Sequence, residues 1–190
     1  MKLTLIKTAY VLSLVLSCIS ISPSYAQMAE QAEPVKTIAT LDVPRYMGTW
    51  YEIAKFPNWF QKKCVANTKA IYTPKDGAGI QVLNSCKTAG GEITQAEGLA
   101  RQIGPIDSPK LEVRFAPAWL DFLPFVWGDY WVIDIDPQYQ VAAVSDPKRE
   151  YLWVLSRNPQ LDNKVYQELL QRLEKQHFDI RKLEITPQAQ

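Results

Sequence analysis

A single histidine, His177, is all the imidazole in this chain of 190 residues. It falls near the end of a predicted helix, apart from any acid or nucleophile. No Ser/His/Asp set, metal-ligand cluster or glycine-rich phosphate loop can be read along the sequence, so no catalytic residue, cofactor or metal is expected. An excess of one charge is also missing. Lys and Arg number 21 against 20 Asp and Glu, which removes the basic surface that a nucleic-acid partner calls for. Beyond the first residues there is no apolar run long enough to cross a bilayer as a helix. Cysteine is scarce, at three.

What is present begins with an export signal. Lys2 and Lys7 precede an apolar run from Thr8 to Ser17 that is short for a membrane span. Ser24-Tyr25-Ala26 is a small-x-small cleavage site, which makes residues 1–26 a signal peptide. Val15-Leu16-Ser17-Cys18 resembles a bacterial lipobox, in which Cys18 becomes acylated and begins the mature chain; Leu16 is larger than the residue usual there, and cleavage after Ala26 is preferred. The signal takes two basic residues and no acidic one, leaving a mature balance of 19 to 20. Either route exports the chain, to the periplasm if it is bacterial, with an outer-membrane anchor if Cys18 is used. In an oxidising compartment the remaining pair, Cys64 and Cys86, is a disulfide candidate.

Residues 27–40 are polar and irregular and read as a flexible tether, followed by one domain over 41–187. Strands are expected near 49–56, 65–73, 80–87, 93–101, 110–115, 129–135, 140–144 and 151–156, spaced as in an all-β sandwich or barrel. Turn residues break them at Pro74-Lys75-Asp76-Gly77, Gly90-Gly91, Asp107-Ser108-Pro109 and Asp136-Pro137. Asp162 is a plausible N-cap for one helix, whose stripe is Val165, Leu169 and Leu173 with Tyr166 and Leu170 beside it, packed outside the sheet. A short last strand is expected near 180–185.

Alternation assigns the faces. Cys64, Ala66, Thr68, Ala70 and Tyr72 point inward, opposed by Asn67 and Lys69. Ile80, Val82, Asn84 and Cys86 point inward, opposed by Gln81, Ser85 and Lys87. Leu111, Val113 and Phe115 point inward, opposed by Lys110, Glu112 and Arg114. Pairing the second and third strands around Asp76 sets Cys64 opposite Cys86 and Ala66 opposite Asn84, close enough for a disulfide; two unpaired buried thiols are the alternative. An eight-stranded barrel is just wide enough to be filled by side chains or to hold one ligand. Small inward residues at Ala66, Thr68, Ala70, Ala96, Gly98 and Ala100 leave volume, and Phe115 and Trp153 would line it. A filled core with small and large residues interlocked is the other outcome.

Residues 48–54, Gly-Thr-Trp-Tyr-Glu-Ile-Ala, resemble the G-x-W opening motif of the lipocalins. Gly128-Asp129-Tyr130 and Tyr151-Leu152-Trp153-Val154-Leu155-Ser156-Arg157 resemble the family's second and third motifs, in the same order. The wording around them is similar to bacterial lipocalins of the outer-membrane lipoprotein type, to apolipoprotein D and to the plant temperature-induced lipocalins. The resemblance implies an eight-stranded antiparallel up-and-down β-barrel with one C-terminal α-helix outside. Gly48, Trp50, Asp129, Tyr130 and Arg157 become structural positions, with Arg157 packed over Trp50 as a cation–π pair. It also implies a fatty acid, lysophospholipid or similar amphiphile as ligand, with a part in membrane maintenance or stress. Tyr72, Asn84 and Trp153 match pocket residues of those relatives; the inward positions Ala70, Val82, Val113, Phe115 and Glu52 complete the expected ligand-binding set.

Strand direction then places two aromatic-rich loops at the barrel mouth. One holds Trp59 and Phe60 followed by Lys62 and Lys63; the other holds Trp119, Phe122 and Phe125. Such a rim suits peripheral contact with a membrane, or else a lid folded over the pocket. Glu52 is a single interior carboxylate and more often anchors a hydrogen-bond network than performs acid–base chemistry. The enzymatic alternative is a pocket-thiol isomerase resembling lipocalin-type prostaglandin synthase, which needs a free Cys64 or Cys86; a third reading is a non-binding interaction module. The protein is expected as a monomer or weak homodimer.

Overall fold

Alternating inward and outward residues from Gly48 onward make strands, and in the computed structural model the strands close on themselves. The structure describes residues 33–75, 79–117, 120, 123 and 126–189. The signal segment with Cys18, and Trp119, Phe122 and Phe125, lie outside the described residues. The strands are β1 (Gly48–Lys55), β2 (Cys64–Lys75), β3 (Gly79–Thr88), β4 (Ile93–Gln102), β5 (Lys110–Arg114), β6 (Gly128–Ile135), β7 (Val141–Ser145) and β8 (Leu152–Ser156). Each pairs antiparallel with the next, and β1 pairs with both β8 and β2, so the barrel has no free edge there. The expected last strand is a 3-10 turn at Ile180–Lys182 followed by the two-residue β9 (Glu184–Ile185), which adds to β1.

Two cores result. Inside the barrel, Trp50, Tyr72, Ile80, Val82, Leu111, Val132, Val144 and Leu155 pack together. Outside, α2 (Asn163–Lys175) lays Leu169 and Leu173 against Ile133, Ala143, Leu152 and Val154. β7 is therefore buried on both faces, and its run Val-Ala-Ala-Val-Ser has no charged residue. Asp162 caps α2, accepting from the Lys164 and Val165 amides. Val165, expected on the buried stripe, is exposed, because the helix turns Tyr166, Leu169, Leu170 and Leu173 to the barrel instead.

Four further expectations are corrected. Residues 33–40 are packed and not a loose tether: Val35 is buried in the outer core, and the Ile38 amide donates to the Val132 carbonyl. The β2–β3 register differs from the expected one. Ala70 lies opposite Asn84, Ala66 opposite Lys87 and Cys64 opposite Thr88, with two register shifts around Asn67, whose φ is 55°. The Cys64–Cys86 disulfide nevertheless forms, diagonally across the irregular ladder, with a Cα–Cα distance of 5.5 Å. Arg114, expected in solvent, is buried: it donates to the Pro117 carbonyl and stacks on Trp127. Ser85 is buried too. A short helix absent from the sequence reading, α1 (Val43–Tyr46), starts at Asp42, whose carboxylate accepts from the Arg45 amide.

Candidate functional site

The closed end is built from the opening motif. Gly48 has φ of 95°, and a Cβ there would come 3.3 Å from the Arg157 guanidinium, so two constraints favour glycine. That guanidinium sits 3.9 Å from the centroid of the Trp50 ring. Its nitrogens donate to the carbonyls of Arg45, Thr49 and Tyr139, while the Trp50 indole donates to the Tyr46 carbonyl. Above them the Tyr130 hydroxyl joins those of Tyr46 and Tyr72, at 2.8 and 3.0 Å. Burial pushes the Tyr72 phenol up to about 12 and the Tyr46 and Tyr130 phenols well above their ordinary value, so the cluster stays neutral. The void bordered by these tyrosines, Ile80, Ala100, Leu111 and Val113 is about 10 Å³, room for about one water and not for an acyl tail. The deep half of the barrel is thus closed by its own side chains.

Toward the mouth the wall changes. Ile80 faces Ala100, Val82 faces Gly98 and Asn84 faces Ala96 across β3 and β4. Along that inner face Ala100 is buried, Gly98 half-buried and Ala96 exposed. Asn84 sits at the transition. Its Oδ1 is buried with no hydrogen-bond partner. Ala70 lies opposite it on β2. Phe115, expected inside β5, follows the end of that strand and is 44% exposed. Its ring lies where a Cβ on Gly98 would be, at 2.8 Å.

At the mouth Trp153 and Glu52 converge on a residue the sequence reading did not single out. Gln61 Oε1 accepts from the Trp153 indole at 3.0 Å and from the Asn58 amide at 2.6 Å. Gln61 Nε2 donates to Glu52 at 2.7 Å, and the Thr186 hydroxyl donates to the other Glu52 oxygen at 2.5 Å. Burial raises the Glu52 carboxyl above its ordinary value, partly offset by these hydrogen bonds. Phe60 covers the same place, its ring centroid 5.5 Å from Tyr151 and 6.3 Å from Trp153. Beside them the chain end fills the gap where β1 and β2 part: Gln188 donates to the carbonyls of both Glu52 and Thr68, and the Asn67 amide donates to the Pro187 carbonyl.

The expected ligand set is therefore divided by height. Tyr72, Val82 and Val113 border the filled end, Ala70 and Asn84 stand at mid-wall, and Glu52 and Trp153 lie under the Phe60–Gln61 loop. Asp129 is exposed on β6 next to Tyr130 and opposite Glu112, outside the interior.

A closed antiparallel barrel, plugged by its own side chains at one end and with one helix outside, is the architecture of the calyx-type proteins. The sequence profile of the lipocalin-like domain matches residues 41–188, and the chain belongs to the lipocalin family, whose members bind small hydrophobic ligands. It is 43% identical to temperature-induced lipocalin-1 of Arabidopsis thaliana over 164 residues, covering 85% of this chain and 87% of that one. It is 35% identical to the outer membrane lipoprotein Blc of Escherichia coli over 181 residues, 95% and 93% of the two chains. With apolipoprotein D of Macaca fascicularis the identity is 33% over 154 residues, 77% of each. Among solved structures, insecticyanin of the tobacco hornworm Manduca sexta superposes with a TM-score of 0.63 at 22% identity, covering 82% and 85%, which speaks for the fold alone.

Proposed function

We propose that this protein is an exported, non-enzymatic carrier or store for a fatty acid, lysophospholipid or similar amphiphile, working in cell-envelope maintenance or stress. The reading includes removal of residues 1–26 and, where Cys18 is used, an outer-membrane anchor. The observation that carries it is the buried, unpaired Asn84 Oδ1 at the level where the inner wall turns from large side chains to Gly98 and Ala96. A buried acceptor left alone costs about 1–3 kcal/mol, and a ligand hydroxyl or protonated carboxyl would supply the missing donor. The ligand then occupies the half nearer the mouth, between Asn84 and Trp153, because the deep half is filled.

Lipid identification from protein purified under native conditions tests this directly, together with titration of lysophosphatidylcholine and a fatty acid. Asn84→Leu is expected to weaken hydroxyl-bearing amphiphiles about tenfold while sparing plain apolar probes. Protein that carries no amphiphile and takes up none would overturn the reading in favour of a non-binding envelope module. The thiol-isomerase alternative loses its nucleophile here, since Cys64 and Cys86 are joined to each other. Titrating thiols in the native protein checks this: a reactive thiol at either position would revive that chemistry.

A further inference from the structure

Of the nine large apolar side chains left exposed among the described residues, five stand at one end. β1 runs from the plugged base to Lys55, so the loops at 56–63 and 89–92 and the end of β5 with Phe115 all stand at the mouth. Trp59 (73% exposed), Phe60, Val65, Ile93 (62%) and Phe115 are there; the closed end exposes Ile103 and Ile106, with Val165 on α2 and Ile185 on β9. Val65 and Ile93 flank the disulfide, on β2 next to Cys64 and on β4 opposite Lys87, and Trp59 stands in the loop that leads into β2. The Cys64–Cys86 disulfide joins β2 to β3 at this corner, and Lys63 Nζ donates to the Thr94 hydroxyl at 3.0 Å, tying the loop to β4. Lys62 and Lys63 of the first loop and Lys87 of β3 are exposed around it; the exposed carboxylates nearby are Glu92 of the second loop and Glu97 of β4.

The loop itself divides its two rings. Phe60 turns in, over Tyr151 and Trp153, while Trp59 meets the edge of Phe60, at 5.5 Å and 87°, and stands out in solvent. Phe60 covers Trp153, and among the described residues Trp59 has no ring partner besides Phe60.

We propose that this stapled corner docks the barrel mouth on an anionic bilayer surface, Trp59, Val65 and Ile93 entering the headgroup layer and Lys62, Lys63 and Lys87 facing lipid phosphates. Indole rings favour the membrane–water boundary, and lysine stems lie along apolar matter while their ammonium groups reach phosphate. A second copy of the chain fits the corner less well, since a two-fold contact would bring the same lysines of both copies together. The purpose rests on the proposed function: a mouth held against lipid lets an amphiphile pass without crossing water.

The test is flotation of the exported protein carrying Cys18→Ser, so that no acyl anchor contributes, with vesicles of phosphatidylcholine alone or mixed with phosphatidylglycerol. The protein is expected to float with the mixed vesicles and far less with the neutral ones. Trp59→Ser with Ile93→Ser should lower partitioning at least about tenfold. Lys62→Glu with Lys63→Glu should lower it about 25-fold or more on the mixed vesicles alone, at about fivefold for each lysine removed. Ile106→Ser, exposed at the other end, should change nothing. The proposal is overturned if the parent protein does not float, if the Trp59/Ile93 variant floats equally well, or if Ile106→Ser loses as much. It is also overturned if light scattering without vesicles shows a dimer that the Trp59/Ile93 variant abolishes. Fatty-acid titration of the same variants in vesicle-free buffer reports on the amphiphile reading separately, because none of the changed residues lines the interior.

Discussion

The Arg157 guanidinium lies over Trp50, 3.9 Å from its ring centroid, and donates to three backbone carbonyls at the same time. One side chain thereby ties α1, the start of β1 and the β6–β7 turn to the end of β8. A lysine offers a point charge and no planar fork. Arg157→Ala is expected to cost about 2–4 kcal/mol, from the desolvated cation–π contact and the charge-assisted hydrogen bonds. Arg157→Lys should recover less than half of that loss. Urea unfolding followed by tryptophan fluorescence measures both; a Lys variant as stable as the parent would show that charge alone suffices at this position.

Glu52 sets a pH dependence whose sign follows from its burial. The residue is 3% exposed, and burial raises its carboxyl above the ordinary 4.5. The folded protein therefore holds the proton more tightly than the unfolded chain. The resulting stabilisation is complete below the unfolded value and is lost as pH rises through the raised folded one. Glu52→Gln removes that loss and keeps an amide able to bond Thr186 and Gln61. The Gln variant should melt at or above the parent at neutral pH, with the advantage disappearing near pH ~4. Melting curves across that range decide the matter; a Gln variant that is weaker only at neutral pH would mean that the ionised carboxylate holds the mouth together.

The strands were legible because their residues alternate and their turns are marked by Gly, Pro and Asp, and the Trp50–Arg157 pair because two motifs announce it. The β2–β3 register was not. Its shift turns on Asn67 in the left-handed region, and nothing in a run such as Val-Ala-Asn-Thr-Lys-Ala tells that residue from an ordinary strand position. Arg114 has the parity of a solvent residue and is buried all the same, since Trp127 and the Pro117 carbonyl come back over it. Gln61 is the clearest gap. Its partners Glu52 and Trp153 are 9 and 92 residues away, and Thr186 reaches Glu52 from 134 residues away, so no local pattern could bring them together. Tyr72, Ala70 and Asn84 could be placed on the inner face from alternation alone; which half of the barrel is filled depended on Tyr46, supplied by a four-residue helix too short for a periodic signal.

Gly98 decides how close β5 can bring its end to the inner wall. A Cβ there would meet the Arg114 carbonyl oxygen at 2.7 Å and the Phe115 ring at 2.8 Å. The ring can swing away toward the mouth, where it is already 44% exposed; the carbonyl is fixed by the β4–β5 ladder, in which Leu99 lies opposite Arg114. Gly98→Ala is therefore expected to cost about 1–3 kcal/mol, as overpacking does in a fitted wall. Adding Phe115→Ala should return only part of it, because the backbone half of the conflict stays. Thermal unfolding of the two single variants and the double variant gives the coupling between them. Full recovery in the double variant would place the whole conflict in the ring and leave the strand end free to move; no loss in Gly98→Ala would mean that the wall at this level yields to a methyl group, and with it to a ligand.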